Sequence, residues 1–97
     1  GNQAQARFNI AKTIVNWAIN NGFVFDQFIL YPNVKLTGRN EDDTSIYNKL
    51  HNISLLHISY RGGNSRKQVL FRTESGYLTL KINNENDLAR IKRIFQI

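Results

Sequence analysis

The sequence holds no cysteine, no methionine and a single proline, Pro32, among its 97 residues. Without cysteine there is no disulfide framework, thiol nucleophile, thiolate zinc site or iron–sulfur cluster. Apolar runs are only a few residues long, so no segment reads as a bilayer span or a signal-peptide core, and a soluble chain is expected. Also missing are a phosphate-binding P-loop, a dinucleotide fingerprint and a nucleophile elbow. No Ser or Lys stands at motif spacing from a base, and no carboxylates converge. A non-enzymatic protein without cofactor is therefore expected. The last conspicuous lack is acid: between Thr44 and Thr73 no Asp or Glu accompanies Lys49, Arg61, Arg66, Lys67 and Arg72.

What remains is an ordinary folding composition, 41% hydrophobic and 11% aromatic, which excludes intrinsic disorder. Length allows one domain with one core. No repeat, low-complexity tract or linker marks a boundary, so residues 1–97 read as a single domain. The start at Gly1 with no methionine suggests a piece excised from a larger protein.

Charge is one-sided. The net charge is +6, all of it in residues 44–97, and residues 1–43 are neutral on balance. A pI near 10.0 with this asymmetry is the footprint of a polyanionic partner: nucleic acid, an anionic membrane or an acidic protein.

Periodicity predicts an α+β fold. Residues 4–21 carry Phe8, Ile10, Ala11, Ile14, Val15, Trp17 and Ala18 at helical spacing, and Gly22 suits a left-handed cap. Phe23 to Tyr31 read as a strand that Pro32 stops or bulges, with Val34 and Leu36 as an edge continuation. Glu41, Asp42 and Asp43 cap a short helix around residues 44–52. Period-two patterning then predicts a three-stranded antiparallel meander: residues 53–60, 66–73 and 77–82, with turns at Gly62–Ser65 and Glu74–Gly76. Asn83 or Asn84 caps a last helix reaching Phe95. The expected fold is thus an antiparallel sheet, meander plus N-terminal strand, with terminal helices on one face in the order α-β-(α)-β-β-β-α.

In that register Leu56, Ile58, Tyr60, Val69, Phe71, Leu78, Leu80 and Ile82 share the core face. The opposite face collects His57, Ser59, Arg61, Arg66, Gln68, Leu70, Arg72, Tyr77, Thr79 and Lys81. Polarity there is what any half-solvated antiparallel sheet shows; one sign of charge is not. Arg61 opposite Arg66 would be a repulsive cross-strand pair that an anion relieves, and the Gly62–Gly63–Asn64 tip would let backbone amides approach it. Trp17 and the Phe23, Phe25 and Phe28 cluster read as core. His51 and His57 with Glu41, Asp42 and Asp43 lack metal-ligand spacing, so no metal site is expected.

The expected function is nucleic-acid binding, DNA first, through backbone phosphates. Arg61, Arg66, Lys67, Arg72 and Lys81 would meet the phosphates, while Tyr77, His57 and Gln68 stack or hydrogen-bond. The alternatives are an anionic-membrane or acidic-protein interaction module using the same residues, and an assembly or dimerisation domain within a larger polypeptide. An intracellular setting, cytoplasmic or nuclear, goes with this reading.

Overall fold

Helical spacing places the first element where it is expected. In a computed structural model, which describes residues 2–97, α1 spans Asn2–Asn20. Phe8, Ala11 and Val15 form its buried stripe. Gly22 ends the turn at φ 72°, a left-handed value that costs glycine nothing. Trp17, expected in the core, is 47% exposed, and Ile10 is 52% exposed. The two are seven residues apart and lie together on the side of the helix turned away from the buried stripe. The helix carries more apolar side chains than the arc the sheet covers.

The remaining elements are β1 (Gln27–Pro32), α2 (Asp43–Lys49), β2 (Ile53–Ile58), β3 (Gln68–Arg72), β4 (Tyr77–Lys81) and α3 (Glu85–Phe95). Asp42 caps α2 by accepting from the Thr44 amide at 2.8 Å, and α2 closes at Leu50 rather than Asn52. Asn84 caps α3 by accepting from the Asp87 amide at 2.9 Å. These caps satisfy amide donors that a helix start leaves without partners.

The sheet departs from the expected meander. Strand order is β2-β1-β3-β4. β1 pairs antiparallel with β2 and parallel with β3, while β3 and β4 form an antiparallel hairpin. The sheet is therefore mixed, and β1 occupies the place where β2 and β3 were expected to meet. The cause lies in β1 itself: Phe28 and Leu30 face the core while Ile29 and Tyr31 face the other side, so the strand is apolar on both faces. Such a strand suits the sheet interior, where side chains of the flanking strands shield it on both faces. Leu36, expected to extend β1, instead forms an isolated parallel bridge with Thr73. Pro32 ends β1 at a register shift opposite Ile53, as a residue without an amide donor requires.

Among the described residues, α1, α2 and α3 pack on one face. Phe8, Ala11 and Val15 of α1, Ile46 of α2 and Ile91, Ile94 and Phe95 of α3 join Phe28, Leu30, Val69, Phe71, Leu78 and Leu80 in one core cluster. Fully burying a side chain such as Phe28 or Phe71 contributes about 1.5–3 kcal/mol. Tyr60, expected on this face, lies beyond the end of β2 and is 63% exposed. The core layer leaves the opposite sheet face uncovered by helix.

Candidate functional site

Register sorts the outward residues into three rows. The first is Ser59, Gln27, Gln68 and Lys81: the Ser59 amide donates to the Gln27 carbonyl at 2.9 Å, and Gln27 pairs with Gln68 and Gln68 with Lys81. The second is His57, Ile29, Leu70 and Thr79. The third is Leu55, Tyr31, Arg72 and Tyr77, in which Tyr31 pairs with Leu55 and Arg72 with Tyr77. No carboxylate occupies any of these positions.

The rows differ in chemistry. In the third, the Tyr31 and Tyr77 rings meet edge to face at 6.4 Å, with their hydroxyls 3.4 Å apart. The Arg72 guanidinium lies 5.1 Å from the centroid of Tyr77 and donates to the Gly76 carbonyl at 2.7 Å. Tyr77 stays 42% exposed and Leu55 53%. In the middle row Leu70 is only 7% exposed although it faces outward, so the face has an apolar floor. The first row is polar: Gln27 Nε2 donates to Gln68 Oε1 at 3.0 Å, and Lys81 is exposed. Lys67 and the exposed Arg61 flank this end of the face in sequence.

Arg61 and Arg66 do not form the expected cross-strand pair. Residues 59–67 must pass the width of β1 to reach β3, roughly two strand spacings or about 10 Å, so they form a connection and not a hairpin. Within it Gly62–Asn64 make a single 3-10 turn. Arg66 is held by Asp26, whose Oδ1 accepts from the Arg66 amide and Nε and whose Oδ2 accepts from Nη2, all at 2.9 Å. These hydrogen bonds outweigh the opposing effect of burial and hold the Asp26 carboxyl at about 2, below its ordinary 3.8. Arg66 is thus neutralised by a buried acid and is a latch, not a free cation. The same connection carries strain: Lys67 sits at φ 53°, a left-handed conformation that costs a non-glycine residue about 1–2 kcal/mol. Its amide donates to Phe25 and its carbonyl accepts from Ile82, which holds the kink in place.

Other titratable groups have partners elsewhere. Glu41 is partly buried, which raises its pKa, but hydrogen bonds from Lys49, Ser45 and Thr37 prevail and hold it at about 2. Asp43 binds Arg90 at 2.7 Å and Arg93 at 2.9 Å, tying α2 to α3. His51 bonds Gln5 at 3.0 Å and packs on Phe8 and Tyr47, on the helical side, whereas His57 is exposed on the open face. Among the described residues no three His, Asp or Glu side chains gather as a metal site would require, and no helix is long and apolar enough to cross a membrane.

Of the residues singled out from sequence, the open face brings together His57, Gln68, Arg72, Tyr77 and Lys81, with Arg61 and Lys67 at its polar end. Arg66 is withdrawn from the set of free cations. Sequence reasoning missed Gln27, Ile29, Tyr31 and Leu55. The signal for β1 was present in Phe28-Ile29-Leu30-Tyr31, a run without alternation that marks a central strand. Compared with family models, curated proteins and solved structures, the chain matches none.

Proposed function

We propose that this domain binds nucleic acid on its open sheet face, holding backbone phosphates with Arg61, Lys67, Arg72 and Lys81. The observation that carries the reading is the composition of that face: its outward side chains include no acid, yet they hold two tyrosines and an apolar floor beside exposed cations. A face kept open only for solubility needs mixed charge and no aromatic pair. Phosphate supplies the missing negative charge, and bases supply flat surfaces for the tyrosines. Gln27 and Gln68 are placed to hydrogen-bond base edges, but no helix lies on this face for groove readout, so sequence preference is expected to be modest.

The test is an anisotropy titration of a fluorescein-labelled oligonucleotide across salt concentrations. For about four phosphate contacts on a single strand the log–log slope should be near −3. Arg61→Ala and Lys81→Ala should each make the slope shallower by about 0.7, while the paired change Asp26→Asn/Arg66→Gln should leave it unchanged because it removes both charges of a neutral pair. Affinity that stays flat with salt would overturn the proposal.

A second reading rests on a separate observation. Trp17 packs edge to face on Phe23, and Phe23 in turn meets Tyr60. Tyr60 is followed in sequence by Arg61. Exposed aromatics next to a cation suit an anionic bilayer interface. Sedimentation with phosphatidylserine vesicles, comparing Trp17→Ala with Tyr77→Leu, separates the two: loss with Trp17→Ala alone supports the membrane reading, and no sedimentation excludes it.

A further inference from the structure

Resting on the nucleic-acid reading, we infer that the open face takes single-stranded nucleic acid in preference to duplex. The argument is the separation of two chemistries along the strands. Lys81 and the Gln27–Gln68 pair form the row at one end, and Tyr31, Tyr77 and Arg72 form the row at the other. Four residues of strand separate them, or about 13 Å at 3.3 Å per residue. That span admits a few nucleotides of an extended strand. One end of such a segment sets its phosphates at Lys81, Arg61 and Lys67, and the other lays a base on Tyr77.

Duplex cannot satisfy both ends. Its bases are stacked and paired inside, so a sheet face laid against it meets only sugar and phosphate, and the apolar floor of Ile29, Leu55 and Leu70 would be pressed on charged backbone. The open face carries no helix to enter a major groove instead. A single strand exposes its base faces, and stacking tolerates any sequence because every base has a π surface. The Arg72 guanidinium lies over the Tyr77 ring, 5.1 Å from its centroid, so a base stacks on the ring's other face or on the guanidinium plane, which stacks on bases as well. The Tyr31–Tyr77 edge-to-face contact and the hydroxyl pair at 3.4 Å hold the rings in position before a ligand arrives, so little side-chain freedom is lost on binding.

The experiment compares three labelled ligands of equal length, oligo(dT), oligo(rU) and a DNA duplex, titrated with the wild-type chain and with Tyr77→Leu and Tyr77→Phe. Thermal melts confirm that the variants fold. Both single strands should bind at least tenfold more tightly than duplex. Tyr77→Leu should weaken single-strand binding by about 5- to 100-fold without changing its salt slope or the duplex affinity, and Tyr77→Phe should retain most of the affinity because the ring remains. If duplex binds as tightly as the single strands and Tyr77→Leu weakens neither, the single-strand inference falls while the nucleic-acid reading stands. If none of the three ligands binds at low salt, the nucleic-acid reading itself falls. Loss in Tyr77→Phe equal to that in Tyr77→Leu would assign the effect to the hydroxyl pair and overturn the stacking account.

Discussion

Two neighbouring residues set the geometry of the polar end. Arg66 is latched by the buried carboxylate of Asp26, and Lys67 follows in a left-handed turn at φ 53°. A glycine adopts that turn without strain but loses more entropy on folding, so Lys67→Gly should raise stability by about 0.5–1 kcal/mol. The same change should weaken nucleic-acid binding and reduce the salt slope by about 0.7; urea denaturation and anisotropy together check it. A lysine kept in a strained turn that glycine would relax is what a functional cation predicts, and a variant that is stabler with binding unchanged would remove Lys67 from the site. Acid sensitivity follows from the carboxylates. Asp26 and Glu41 are each held at about 2 when folded, against ordinary values of 3.8 and 4.5. Because both are depressed, their contribution is complete above about pH 5. It should decline as pH falls through 4 toward 2, because the unfolded chain takes up protons in that range before the folded groups do. Urea midpoints at pH 6, 4 and 3 should show this decline, and Asp26→Asn should be less stable at pH 6 with a smaller drop. An equally steep drop in Asp26→Asn would mean that other groups govern acid stability.

Among the elements, β1 decides the topology. As the inner partner of both β2 and β3 it has hydrogen-bonding neighbours on each side, whereas β2 and β4 are edges. Amide exchange should therefore be slowest in Phe28–Leu30 and Val69–Phe71, with β2 and β4 opening earlier. Fast exchange in β1 would restore the meander, in which it is peripheral. The sequence made the elements legible because helical and period-two spacing are local: the Asn84 cap, the β3–β4 hairpin with Arg72 opposite Tyr77, and the buried stripe of α1 are all readable from short windows. Strand order is not local. Sequential strands neighbour one another in about two-thirds of cases, and that preference favours β2 beside β3. Only the two-sided apolar character of β1 argues against it. The error carried into the site: Arg61 opposite Arg66 vanished, and Tyr31 came into place beside Tyr77. Trp17 was misread for a different reason: Ile10, Ile14 and Trp17 repeat at helical spacing just as Phe8, Ala11 and Val15 do, and spacing alone does not say which stripe the sheet covers. Its exposure makes Trp17→Ala a mild change, expected to cost about 1 kcal/mol or less, with wild-type emission already red-shifted as for a solvated indole.

At the scale of the whole molecule, layering and charge point the same way. Helices cover one side of the sheet, and four of the carboxylates serve elsewhere: Asp26 latches Arg66, Glu41 binds Lys49, Asp43 joins α2 to α3, and Asp87 accepts from the Lys81 backbone amide. The +6 net charge is thus expressed by exposed cations such as Arg61 and Lys81, near a face whose strands present no acid. Long-range attraction of a polyanion to such a surface should fade as salt shortens the Debye length to about 8 Å near physiological ionic strength, leaving stacking as the selective contribution. The most direct measurement is a backbone NMR titration of the isotope-labelled chain with a short single-stranded oligonucleotide. Binding at the open face predicts shift changes concentrated in residues 27–31, 55–61, 67–72 and 77–81, with the solvent side of α1 and the last turn of α3 undisturbed. Changes centred on α1 or α3, or none at concentrations where low-salt binding should saturate, would contradict it.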